Sequence, residues 1–137
     1  MKKLLVLTAL ILFSGIVFSQ TLQKGNLIGV HVLDVHLNPD VTYNQVHEFT
    51  INTLIPEFEK HFGNKVYSTK GVRGENKYEY GMIYIFESEE ARAKYYNDDG
   101  SLTELGNSAM EKIRPTLDEF ENKFGDFNFK YTDWIVQ

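Results

Sequence analysis

Two segments of this chain, Leu27–Leu37 and Tyr80–Phe86, are apolar at both odd and even positions, and that constrains the fold more than any other feature. Successive side chains on a strand point to opposite faces. Ile28, Val30 and Val32 therefore share one side of the first segment and Leu33, Val35 and Leu37 the other. In the second segment Tyr80, Met82, Tyr84 and Phe86 oppose Ile83 and Ile85. Strands with two apolar faces belong in the middle of a sheet that is covered on both sides. Two further segments, Lys65–Val72 and Phe127–Val136, alternate with polar residues and read as edge strands.

The intervening segments carry helix signals. Thr42 with Gln45 makes a capping box, and Val41 with Val46 occupies the positions of a hydrophobic staple. Helical spacing continues through Ile51, Leu54, Ile55, Phe58 and Phe62 to a stop at Gly63, with a kink expected at Pro56. Ser88 caps a short helix with Glu89 and Glu90 in its first turn, ending near Tyr96. After the turn Asn97–Gly100, a stripe from Leu102 to Phe124 is expected to break at Pro115 and close at Gly125. The order is strand, helix, strand, strand, helices, strand. This predicts an α+β chain: a ferredoxin-like βαββαβ sandwich with an antiparallel sheet in the order 4-1-3-2 and a second helical layer in two or more pieces. Both helical layers cover one face, so the other apolar face needs a cover, and a homodimer is the simplest expectation.

At the N-terminus Lys2 and Lys3 precede an apolar run from Leu4 to Leu12 that continues to Phe18, with Val17 and Ser19 at positions −3 and −1 of a cleavage site before Gln20. Residues 1–19 thus read as a signal peptide and 20–137 as one domain, exported to the periplasm or secreted. The run is shorter than the roughly 20 apolar residues of a membrane span, so no stable insertion is expected after cleavage. The chain has no cysteine, which excludes disulfides and attachment of lipid through an N-terminal cysteine. The formal net charge is −5, without a Lys/Arg cluster, which argues against nucleic acid.

The run Val30 to Pro39 with the helix after it, and Gly81 to Tyr96, where strand passes into helix, carry a resemblance. In pattern they resemble the dimeric α+β barrel superfamily, which includes antibiotic-biosynthesis-type monooxygenases and stress-responsive barrel proteins. The resemblance implies a homodimer. Some members oxidise small aromatic compounds without a cofactor, some degrade heme, and many have no known activity. The heme-degrading members use a histidine on the helix after the third strand, whereas His61 is the last histidine here.

Residues that carry chemistry are few. Asp34 and His36 share one strand face but need a third partner to hold a metal, and the reading is a polar strand end with no metal. His31 has the opposite parity and is expected in the core or an interface. His47 falls on the stripe of Ile51, Leu54 and Phe58, and His61 lies about 21 Å further along the helix, too far to share an ion. Asn97–Gly100 lacks the spacing of a calcium loop, Gly71 and Gly74 do not make a phosphate loop, and no G-x-S-x-G elbow is present. Gly29 and Gly81 mark bulges or leave room for a ligand.

The expected site is an apolar pocket beneath the kinked first helix, with His36 and His47 as polar anchors and Tyr84 and Trp134 in its lining; no cofactor is expected. The function expected is a noncatalytic exported homodimeric binding or interaction domain whose cavity or surface holds a small apolar molecule or a partner. The alternative, from the resemblance alone, is a cofactor-free oxygenase in which His36, His47 or Tyr84 serves as acid, base or orienting group. Converging histidines and tyrosine hydroxyls in a cavity would favour the enzyme, and a cavity without them would favour binding.

Overall fold

A computed structural model describes residues 21–137. The expected leader and its cleavage site lie outside the described residues. The elements run β1 (Leu27–Leu37), α1 (Tyr43–Phe49), a π-helical turn (Thr50–Leu54), α2 (Ile55–Phe62), β2 (Lys65–Lys70), β3 (Tyr80–Phe86), α3 (Glu89–Ala93), α4 (Glu104–Phe124) and β4 (Gly125–Ile135). The four strands form one antiparallel sheet in the order β2-β3-β1-β4, which is 4-1-3-2 counted from the other edge. The two segments that are apolar on both parities are its central strands.

Local chemistry sets the helix starts. The Thr42 side chain accepts from the Gln45 backbone N–H, and the Gln45 side chain accepts from Thr42 N–H at 2.8 Å, which closes the capping box. Gly63 ends α2 in the left-handed region at φ 61°, where a side chain would be strained. Ser88 caps α3 by accepting from Ala91 N–H, and Thr103 caps α4 by accepting from Gly106 N–H. A Cβ at Gly106 would stand 2.1 Å from the Tyr95 carbonyl oxygen, so only glycine lets α4 start this close to the segment after α3.

The two interior prolines are absorbed differently. Where a kink is expected at Pro56, the chain inserts the π-helical turn just before it. Ile55 N–H donates to Thr50 O, five residues back, and Pro56, with no N–H to offer, sits in the first turn of α2. Pro115 does not break α4, which continues to Phe124. Glu111, whose carbonyl loses its helical partner, and Pro115 are both exposed, so the interruption lies on the solvent side of the helix.

The core lies between the sheet and the helices. Leu54, Phe58 and Phe62 meet Ala109, Ile113, Leu117 and Phe120 of α4 over Val66 and Met82 of the sheet. Ile113 is 0 % exposed. The extra residue of the π turn shifts the buried stripe of the first helical layer. It runs through Thr50, Leu54, Phe58 and Phe62, leaving His47 and Ile51 exposed rather than on the core face expected for them.

Candidate functional site

A small, partly open hollow lies between the helix layer and the sheet, beneath α1 and the π turn. Leu33, Val46, Leu54, Met82, Phe120 and Phe127 give it an apolar wall, and its volume is about 40 Å³. His47 reaches its margin, where its Nδ1 lies 3.4 Å from Ser68 Oγ. Tyr43 and Tyr80 stack beside it with ring centroids 4.7 Å apart. Pockets for drug-sized ligands are roughly 300–1,000 Å³. This cavity takes a few apolar atoms and no more.

The four side chains expected to meet in one pocket are not brought together. Only His47 lines the cavity. His36 is on the opposite face of the sheet, because Leu33 and Val35 face the helices and even-numbered residues of β1 therefore face away. There His36 lies between Asp34 and Asp126, 3.8 and 3.3 Å from their carboxylates, and all three are exposed. Among the described residues no group of three His, Asp or Glu side chains is arranged to hold a metal ion. Tyr84 faces the helices, but its hydroxyl donates to Met82 Sδ at 3.4 Å, and burial pushes its phenol far up. Trp134 stands on the open face, 61 % exposed.

The two strand glycines leave no free space of their own. A Cβ at Gly29 would meet Asp133 Oδ1 at 3.1 Å, and one at Gly81 would meet Thr69 Oγ1 at 2.9 Å. The turn expected at Asn97–Gly100 is an ordinary one. Asp99 Oδ1 accepts from the Ser101 N–H and hydroxyl at 2.9 and 2.6 Å, which lowers the Asp99 carboxyl.

The side-chain cluster that sequence reasoning missed surrounds His31. Its ring stacks on Phe129 at 5.0 Å between centroids and meets Tyr84 at 4.5 Å and Tyr131 at 5.5 Å. Beside it Arg92 Nε donates to Asp133 Oδ2 at 2.8 Å, with the guanidinium 5.1 Å from the Tyr96 ring centroid. Burial pushes the Tyr96 phenol up to about 12. The His31 pKa is lowered, chiefly by burial; the Asp133 carboxylate opposes this, and Arg92 adds a smaller lowering pull. The available signal was the parity shared by His31 and Leu33, combined with the alternating Phe127, Phe129 and Tyr131 of the strand beside it.

The lowered His31 pKa has a sign that can be tested. The unfolded chain takes up a proton near the ordinary value of 6.5 and the folded chain only at lower pH. Between those two values the unfolded state binds more protons, so stability is complete above about pH 6.5 and falls as pH drops through that window. Thermal melts of the parent chain should decline more steeply below that pH than melts of His31→Phe. Parallel pH profiles would show that His31 protonates without penalty.

The face of the sheet away from the helices is ordered in rows. Tyr67, Ile83, Val30 and Thr132 form the central row across the four strands. Lys65, Ile85, Ile28 and Trp134 form the next row on one side, and Thr69, Gly81, Val32 and Lys130 the row on the other. Beyond that, Asp34, His36, Asn128 and Asp126 make the face polar towards the far end of β1. Among the described residues, the helices lie on the opposite side.

The chain is thus a small α+β domain whose four-stranded antiparallel sheet is compatible with a ferredoxin-like fold. Its sequence matches no protein-family model, and no curated protein is significantly similar to it. Among the described residues no helix is long and apolar enough to cross a membrane.

Proposed function

We infer that this chain is an exported, noncatalytic binding domain of the dimeric α+β barrel kind, working as a homodimer joined through the open sheet face. The observation that carries this reading is the apolar centre of that face, where Ile28, Val30, Val32, Ile83 and Ile85 lie between Tyr67 and Trp134. At strand spacings of about 4.8 Å and rises of about 3.3 Å per residue, the four-strand face has a flat footprint of roughly 440 Å². Adding side-chain relief and the polar rim brings it towards the roughly 800 Å² per partner of a standard interface.

A second copy is the fitting cover. Lys65 and Lys130 share the face with Asp34 and Asp126, so it carries both signs of charge. A two-fold axis brings such a patch against itself, pairing each residue with a different one across the axis. Export rests on the sequence of the N-terminal segment. Binding is favoured over catalysis because the hollow beneath α1 is mostly apolar and the histidines do not converge in it. That cavity accepts the apolar tip of a small molecule.

Trp134 is the only tryptophan and reports on the open face directly. Raising the concentration from nanomolar to micromolar should move its emission to shorter wavelength in step with a doubling of mass by sedimentation. A single monomeric mass over that range, with constant emission, would remove the dimer from this reading.

A further inference from the structure

The hairpin loop between β2 and β3 holds a tyrosine in a backbone conformation that suits glycine. Among the described residues only two other than glycine have positive φ, Asp40 at 67° and Tyr78 at 77°. Aspartate is among the residues that visit the left-handed region, whereas a bulky side chain there is strained. Gly71 N–H donates to Glu79 O and Tyr78 N–H donates to Gly71 O, both at 2.8 Å. Tyr78 and Glu79 thus oppose Gly71 together, in a bulge whose first position is normally glycine. Glu79 N–H also donates to Asn76 O at 3.1 Å, which makes Tyr78 the third residue of a tight turn, again a glycine position. The Asn76 carbonyl folds back to where a Cβ of Gly71 would be, so the loop is closed on itself. Stability given up at a position that glycine would fill without strain points to a use for the side chain.

Tyr78 is 67 % exposed and Val72, beside Gly71 on the facing limb, 75 %, the two highest values among the large apolar side chains described. Tyrosines and lysines gather around them. Lys77 Nζ lies 4.6 Å from the Tyr78 ring centroid. At the base of the loop Lys70 Nζ lies 5.2 Å from the Tyr80 ring, which stacks on the exposed Tyr43. From Lys70 to Glu79 there are three basic side chains and two acidic ones, in a chain whose formal net charge is −5. The loop is slightly basic on an acidic molecule.

We propose that the β2–β3 loop docks the domain on a phospholipid surface, with Val72 and Tyr78 entering the headgroup region and Lys70, Arg73 and Lys77 meeting lipid phosphates. A tip of two side chains is too small for a standard protein interface of roughly 800 Å² per partner, whereas a fluid lipid surface needs no complementary shape. Tyrosine rings settle at the membrane–water boundary, and lysine stems keep their charge in the headgroup layer. Docking of this kind is peripheral and needs no spanning segment. The loop lies beyond the paired residues of β2 and β3, so the inference does not rest on the homodimer.

The test uses the unaltered chain and vesicles of equal parts phosphatidylcholine and phosphatidylglycerol, read by co-sedimentation. The parent should pellet with the vesicles saturably, half-bound at lipid concentrations on the order of millimolar, weaker than a single acyl anchor gives. Val72→Ser and Tyr78→Gly should each weaken that binding by about fivefold or more. Leu105→Ala, which truncates another exposed apolar side chain, on α4, should bind as the parent does. Tyr78→Gly should also melt no lower than the parent, since glycine takes the left-handed conformation freely. The proposal is overturned if the parent stays in the supernatant or pellets equally without vesicles. It is overturned too if Val72→Ser and Tyr78→Gly bind as tightly as the parent, or if Leu105→Ala loses as much as they do. A clearly lower melting temperature of Tyr78→Gly would show that the ring serves the fold, and would overturn it equally.

Discussion

Replacing Val30 with lysine is expected to leave a folded monomer. Val30 occupies the centre of the open sheet face, flanked in register by Ile83 on β3 and Thr132 on β4. In a two-fold dimer the new ammonium groups are buried twice, close to the axis, with no acid in the central row to meet them. Burying an unpaired charge costs several kcal/mol per ion even after relaxation. Dissociation should therefore become easier by about a thousandfold or more, at roughly 1.4 kcal/mol per tenfold. In the single chain the lysine stem lies over Ile83 and its charge reaches water, so circular dichroism should retain the parent signal. Sedimentation equilibrium decides the matter. A variant that still forms dimers would place the interface elsewhere, and one that unfolds would mean the face is part of an internal core.

On the other side of the sheet, Ile113→Ala should produce the largest loss of stability of any single truncation in α4. Ile113 is fully buried, packed with Leu54, Phe58 and Phe62 on one side and Leu117 and Phe120 on the other. Removing a buried aliphatic side chain loses its transfer free energy and leaves a cavity that the neighbours fill only in part, typically about 2–5 kcal/mol. For a domain of this size that is a fall of roughly 10 °C or more in melting temperature. Leu105→Ala, on the same helix but 50 % exposed, is the control and should change stability by less than about 0.5 kcal/mol. Urea titrations of both variants give the comparison. Equal effects would mean that α4 does not seal the core.

What was legible in the sequence was what short-range chemistry determines. The Thr42 capping box, the Gly63 stop and the Ser88 cap each depend on residues within three or four positions of one another, and each forms as read. The two central strands were legible because apolarity on both parities is itself a record of burial on both faces. The π turn was not, since Pro56 can be absorbed by a kink or by an inserted residue, and the packing of Leu54, Phe58 and Phe62 on α4 selects between them. His36 and His47 are close along the chain, which invited the idea that they converge. The parity of β1, fixed by Leu33 and Val35 turning to the helices, puts the sheet between them. His31 was legible in part, since its parity put it in the core or an interface, but its partners Arg92 and Asp133 come from distant segments that a single sequence does not bring together.

The position of β1 also determines when the domain can fold. It comes first of the four strands of the sheet, yet it is central, and its hydrogen-bonding partners come late: Leu27 pairs with Phe86 on one side and Ile135 on the other. Gly25 N–H donates to the Val136 carbonyl, one residue from the end of the chain. Contacts this far apart in sequence pay the entropy of closing long loops before they gain anything, which slows folding. While the chain is still being made, the β2–β3 hairpin is the only part of the sheet whose strands are neighbours in sequence, and an isolated hairpin is marginal in water. Loss of the last dozen residues would thus remove more than an exposed edge strand: it would take away half of the pairing of β1 and leave the remaining chain without a route to a closed sheet.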